Sequence, residues 1–271
     1  MTETLLGRAE HDTAPAGDAA FARWLAARAG GLLLRLRAEL GHADPAALRA
    51  AGDGRSHELI AGELGRWRPA DRLLSEEGAD DLSRVDAERV WIVDPLDGTR
   101  EYGEEGRADW AVHIALWQCM NGIGKLAAAA VALPAQHRVL ATDAPPAYPP
   151  MSPLAAEGGP LRFAASRTRP PEFVTGLAAD LGAELVPMGS AGAKIAAVID
   201  GDVDAYVHAG GQYEWDSAAP VAVATATGLH ASRIDGCALE YNRANPRLPD
   251  LVVCRKDLAP RLLAALERWT G

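Results

Sequence analysis

Between residues 18 and 40 the apolar positions Phe21, Trp24, Leu25, Leu32, Leu33 and Leu36 recur at helical spacing. This predicts one long amphipathic helix, kinked where Gly30-Gly31 weakens its middle. A second helix is predicted over roughly 56–64, where Leu59, Ile60 and Leu64 share a face. The pattern then changes to short apolar runs at 90–93, 111–116, 126–133 and 138–141, broken by charged or turn-forming residues. Such runs predict strands of a largely antiparallel sheet.

Residues 143–160 contain Pro145, Pro146, Pro149, Pro150, Pro153 and Pro160 together with Gly158 and Gly159. Neither a helix nor a central strand can continue through them, so they read as a linker between two halves. Beyond the linker, strand-like and helix-like stretches alternate: 161–165 and 171–181, then 184–187 and 191–200, then 205–207 and 217–227, and finally 251–254 and 259–269. Alternation of this kind predicts an α/β layered second half after an α+β first half.

The 271 residues carry 37 acidic and 27 basic side chains, a formal net charge of −10, with 48% hydrophobic and 24% charged positions. A folded, soluble chain is expected, with length enough for a substantial core. No basic run forms the patch that a DNA or RNA polymer requires, and Lys125, Lys194 and Lys256 are the lysines. No stretch approaches the roughly 18 apolar residues that span a bilayer, and no targeting segment is visible. Cys119, Cys237 and Cys254 are odd in number and far apart, which fits a reducing cytoplasm better than a disulfide framework.

The candidate chemistry is carried by acids. Asp94-Pro95-Leu96-Asp97-Gly98-Thr99 follows the apolar run Trp91-Ile92-Val93, so two carboxylates, a backbone carbonyl and a hydroxyl gather at one strand end. Oxygen donors of this type suit Mg²⁺. Read in isolation, the two aspartates could equally cap a turn. Ser75-Glu76-Glu77 brings further carboxylates after a short apolar stretch, and Asp216 stands before the apolar segment 217–227, where a helix N-cap is the simpler reading. Gly189-Ser190 opens another helix, whose N-terminal N–H groups offer an anion site, with Lys194 in its first turn. The seven histidines form no i,i+4 pair, so zinc hydrolysis lacks support.

Taken in order, Asp53, Ser75-Glu76-Glu77, the segment 94–99 and Trp215-Asp216-Ser217-Ala218-Ala219-Pro220 resemble the inositol monophosphatase superfamily. Leu74-Ser75-Glu76-Glu77 and Asp97-Gly98-Thr99-Arg100-Glu101-Tyr102 look most like its 3'(2'),5'-bisphosphate nucleotidase branch, the type found in bacterial sulfate assimilation. The resemblance implies a layered αβαβα sandwich in one phosphatase domain over 1–271, its halves at about 1–142 and about 161–271 meeting at the site. It implies two Mg²⁺ ions, with room for a third: Glu76, Asp94 and the Leu96 carbonyl for the first, and Asp94, Asp97 and Asp216 for the second. Thr99 and Asp53 would activate the attacking water, with Glu76 counted among the catalytic groups. Asp97, Gly98, Thr99, Ser166, Arg169, Ser190, Lys194 and Asp216 would contact substrate. Arg169 stands where the branch carries a histidine, and the surroundings of Asp53, beside Gly52 and Gly54, lack the family's usual pattern.

The implied activity is removal of the 3'-phosphate from 3'-phosphoadenosine 5'-phosphate, extending to its 5'-phosphosulfate analogue, in a lithium-sensitive, cytoplasmic enzyme whose relatives are commonly homodimers. The same metal set would serve an inositol-1-phosphate or fructose-1,6-bisphosphate phosphatase. A catalytically silent nucleotide-binding regulator on this scaffold is the remaining alternative.

Overall fold

A computed structural model describes residues 13–168 and 170–270. Eight helices and ten strands are ordered α1 (Asp18–Leu40), α2 (Pro45–Trp67), β1 (Arg72–Ser75), β2 (Arg89–Asp97), α3 (Thr99–Tyr102), β3 (Ala111–Met120), β4 (Ile123–Leu133), β5 (Arg138–Ala141), α4 (Pro153–Ala156), β6 (Leu161–Ser166), α5 (Glu172–Leu181), β7 (Ala183–Met188), α6 (Ala191–Asp200), β8 (Ala205–Tyr213), α7 (Glu214–Ala226), β9 (His230–Ser232), β10 (Arg247–Cys254) and α8 (Ala259–Thr270) among the described residues.

Two five-stranded sheets result, ordered β1-β2-β3-β4-β5 and β7-β6-β8-β10-β9. The first is antiparallel except for the β1–β2 pair. In the second, β7, β6 and β8 run parallel while β10 and β9 are antiparallel additions. Helices α1 and α2 cover one face of the first sheet, α6 and α7 lie between the sheets, and α5 and α8 cover the far face of the second. The architecture is thus a five-layer αβαβα sandwich.

Strand periodicity decides what the middle layer meets. Trp91 and Val93 of β2 pack with α1 and α2, whereas Val90 and Ile92 face α7. Asp94, in phase with Val90 and Ile92, therefore points toward the middle layer. The same alternation on β3 sends Val112 and Ile114 outward to α1 and sends His113 inward, opposite Asp94.

Two expectations need correction. Helix α1 runs unbroken through Gly30-Gly31, because Ala26, Ala29, Gly30, Gly31 and Leu33 form its buried face and packing outweighs intrinsic propensity. Helix α2 begins eleven residues earlier than the apolar spacing suggests (56 − 45), nucleated by Asp44, whose carboxylate accepts the Ala46 and Ala47 N–H groups, and by Pro45 at the first position. Asp53 consequently stands on this helix, between Gly52 and Gly54. The proline-rich segment is pinned, because buried Asp204 accepts the Ser152 N–H and hydroxyl and the Arg162 N–H.

Candidate active site

Strand β2 ends in an interruption that builds the site. Its pairing with β3 is irregular between Asp94 and Asp97, where Pro95 has no N–H to give the ladder. The Asp94 carboxylate accepts the Leu96 N–H at 3.0 Å, and the Ser56 hydroxyl of α2 donates to the Pro95 carbonyl at 2.8 Å. Gly98 then turns the chain with φ +84°, and a Cβ there would lie 3.1 Å from both the Asp109 carbonyl and the Ser190 side chain. Only glycine meets both demands.

Glu76 extends the β1–β2 pairing, its N–H donating to the Val93 carbonyl at 3.3 Å, which brings its side chain beside Asp94. Asp216 sits in the first turn of α7 and accepts the Tyr213 N–H at 2.6 Å. The N-cap reading of the sequence is therefore half right: Asp216 closes a capping box from within the helix, which begins at Glu214 rather than 217. Thr99 donates within reach of two acceptors, the Leu96 carbonyl at 3.0 Å and Asp53 at 3.4 Å. The structure thus clusters Asp53, Glu76, Asp94, Asp97, Thr99 and Asp216 from α2, the residue after β1, β2, α3 and α7.

The clustered acids raise one another's affinity for protons. Burial and then the neighbouring Asp97, Glu76 and Asp216 push the Asp94 carboxyl well above its ordinary range. Asp216 rises to about 8, from burial and Asp97. Glu76 stands at the exposed rim, yet partial desolvation and Asp97 raise it to about 7. Asp53 rises to about 6, from burial and then Glu77. Packed, desolvated carboxylates repel one another in this way, and a divalent cation held among them would reverse the effect. Oxygen donors without thiolates match a hard divalent ion, so the residues fit the metal that the sequence implied.

The N-terminus of α6 differs from expectation. Its amides are largely committed to protein groups: Gly192 N–H donates to Asp97 Oδ2 at 2.7 Å and Ala193 N–H to the Ser190 hydroxyl oxygen at 2.9 Å. Lys194 is buried, 6% exposed, with Nζ donating to the Ser190 carbonyl at 3.1 Å and lying over the Tyr206 ring, so it is no surface lysine. Burial lowers its pKa against the pull of Asp97. Ser166 ends β6 opposite Met188, one strand from the turn that carries Ser190. Arg169 lies outside the described residues. Arg100 is exposed, while Glu101 turns inward to pair with Arg167 at 2.8 Å. Trp215 is partly buried against the core and stacks on Tyr213 at 4.7 Å.

One residue escaped the sequence reading. His113 is fully buried; its Nδ1 lies 3.0 Å from the Trp215 carbonyl and its Nε2 3.3 Å from Asp97. Asp94, Asp97 and His113 each offer a ligand atom within 4.8 Å of the others. The available signal was a polar residue inside the apolar run Ala111-Val112-His113-Ile114-Ala115, at an inward strand position.

Comparison with known proteins agrees with this architecture. The model of the inositol monophosphatase family matches residues 19–270. A protein of Mycobacterium leprae described as 3'-phosphoadenosine 5'-phosphate phosphatase is 52% identical over 262 residues, covering 93% of this chain and 94% of that protein. A Mycobacterium tuberculosis protein of the same description is 52% identical over 249 residues, covering 89% and 90%. Among solved structures, Mycobacterium tuberculosis SuhB superposes with a TM-score of 0.69 at 26% identity, covering 96% of this chain and 99% of its own. The chain belongs to the inositol monophosphatase family of phosphatases.

Proposed function

We propose that the protein is a divalent-cation-dependent phosphomonoesterase that hydrolyses the 3'-phosphate of 3'-phosphoadenosine 5'-phosphate, giving AMP and phosphate. The observation that carries the metal dependence is the convergence of Glu76, Asp94, Asp97 and Asp216, with three of the four raised by desolvation and mutual repulsion. The substrate follows from the description of the mycobacterial relatives, supported by their 52% identity over most of both chains.

Glu76, Asp94 and the Leu96 carbonyl would hold one Mg²⁺, and Asp94, Asp97 and Asp216 a second. Bound there, the ions supply Lewis acidity for water activation and for charge on the departing oxygen. The Thr99 hydroxyl donates a hydrogen bond to Asp53 or to the Leu96 carbonyl and so turns a lone pair toward the attacking water, orienting it. Asp53, raised to about 6, is poised to take a proton near neutral pH. Lys194 brings a buried ammonium close to Asp97 and Asp216, and with Ser166, Arg169 and Ser190 we assign it to the nucleotide.

Incubation of the Mg²⁺-loaded protein with the adenosine bisphosphate, followed by ³¹P NMR, tests the reading. Appearance of inorganic phosphate with retention of the 5'-phosphate signal is expected. Loss of the 5'-phosphate, or an inert substrate, would contradict it.

A further inference from the structure

Ser190 holds a backbone conformation that a residue with a side chain rarely adopts, φ +38° and ψ 131°. Such a residue persists only where its surroundings fix it from several sides. Its hydroxyl donates to Asp97 Oδ2 at 2.5 Å and accepts the Ala193 N–H at 2.9 Å, and its carbonyl accepts Lys194 Nζ at 3.1 Å. These contacts fix Ser190 from the α6 side. They leave open what holds the chain that enters it from β7.

The entering side is held by Asp109, 80 positions earlier in the chain, whose Oδ2 accepts the Gly189 N–H at 2.6 Å. The carboxylate is 13% exposed, so this is a sheltered, charge-assisted hydrogen bond. Gly189 cannot shift toward α3, because a Cβ there would already lie 2.3 Å from Cδ of the Glu101 side chain. Asp109 is itself held: Arg107 donates to the same carboxylate oxygen, and the Asp109 carbonyl stands against Gly98. The loop carrying both residues is tied to α1 by Arg37, which donates to the Glu104 and Arg107 carbonyls and lies over the Tyr102 and Trp110 rings. A continuous line of contacts therefore runs from α1 through Asp109, Gly189 and Ser190 to Asp97.

We propose that Asp109 is a positioning residue for the phosphatase reaction. By gripping the Gly189 amide it keeps Ser190 in its strained turn, and through the Ser190 hydroxyl it sets the direction of the Asp97 carboxylate. The inference rests on the reading of Asp97 as a Mg²⁺ ligand and extends it to a residue three contacts away.

The test is the Mg²⁺ dependence of phosphate release from the adenosine bisphosphate in wild type, Asp109→Ala, Asp109→Asn, Ser190→Ala and the Asp109→Ala/Ser190→Ala double variant, with a melting temperature for each. Asp109→Ala should raise the half-saturating Mg²⁺ by about tenfold, the low end of effects from groups that orient a ligand. Asp109→Asn gives up the charge that pairs with Arg107 but keeps an oxygen for the Gly189 N–H, and should stay within about threefold of wild type. Because Asp109 acts through Ser190, the double variant should match Ser190→Ala to within about twofold. A Mg²⁺-dependent wild type whose half-saturation is unmoved by Asp109→Ala, with only the melting temperature lowered, overturns the role of Asp109 alone. So do losses that add in the double variant, or an Asp109→Asn as impaired as Asp109→Ala. Should Asp109→Ala fail to fold, hydrogen exchange of the Gly189 amide in the wild type decides: protection like that of the α6 amides is expected, and exchange at the rate of an open turn overturns the proposal. Turnover that ignores Mg²⁺ in the wild type overturns the metal reading and this inference with it.

Discussion

The Ser190 hydroxyl donates to Asp97 Oδ2 at 2.5 Å, docking the start of α6 onto a carboxylate of the acidic cluster. The same oxygen of Ser190 accepts the Ala193 N–H, so one side chain both caps a helix and orients a candidate ligand. Ser190→Ala should cost about 2 kcal/mol, adding a lost cap to a lost charge-assisted hydrogen bond. Denaturant titration checks the stability loss. A Mg²⁺ titration of turnover should show a weaker apparent affinity in the same variant.

Asp94 is 1% exposed and surrounded by other acids, so its charge opposes folding when no cation is bound. Asp94→Asn should therefore raise the melting temperature of the metal-free protein, by ~2–4 °C for each kcal/mol of relieved repulsion. Turnover should fall at least ~1,000-fold, since a group assigned to both ions is lost. Calorimetric melts with and without chelator, alongside phosphate release, measure both. A variant that loses stability without metal and keeps turnover would contradict the assignment.

The raised carboxyls also set a pH dependence. Asp53, Glu76, Asp94 and Asp216 have folded pKa values above those of the unfolded chain, so the folded state holds more protons as pH rises from about 4. The stability of the metal-free protein should fall as pH rises through about 6, 7 and 8, the values for Asp53, Glu76 and Asp216. Added Mg²⁺ should therefore raise the melting temperature more at pH 8 than at pH 5.5. An equal gain at both would indicate that the ion does not displace these protons.

The proposal routes Asp53 through Thr99, whose hydroxyl lies 3.4 Å from its carboxylate. Asp53→Asn should lower kcat by about 100-fold, the small end of general-base effects, and leave KM within about threefold. Steady-state kinetics separate the two. A change confined to KM would move Asp53 into substrate binding.

The acidic cluster was legible because its residues lie in short, ordered segments: Asp94, Leu96, Asp97 and Thr99 fall within six residues, and Glu76 and Asp216 keep characteristic neighbours. The strand that delivers Asp94 was legible too, since Val90 to Val93 are uniformly apolar and both faces of β2 are covered. What escaped depended on partners distant in sequence. Helix α2 is extended by a cap at Asp44, which apolar spacing does not register. The length of β8 comes from pairing with β10, which carries it past Gly210-Gly211 to Tyr213. Lys194 is buried because α6 lies between two sheets, and His113 is held in the core by the carbonyl of Trp215, about a hundred residues away.

The acidic cluster is proposed to act on a bisphosphorylated nucleotide. Its most direct measurement is kcat/KM for 3'-phosphoadenosine 5'-phosphate, inositol-1-phosphate and fructose-1,6-bisphosphate, each with the same saturating Mg²⁺. Preference for the nucleotide by at least ~100-fold, abolished by chelator and restored by Mg²⁺, is expected. A higher kcat/KM for either sugar-type phosphate, or turnover that survives chelation, would contradict it.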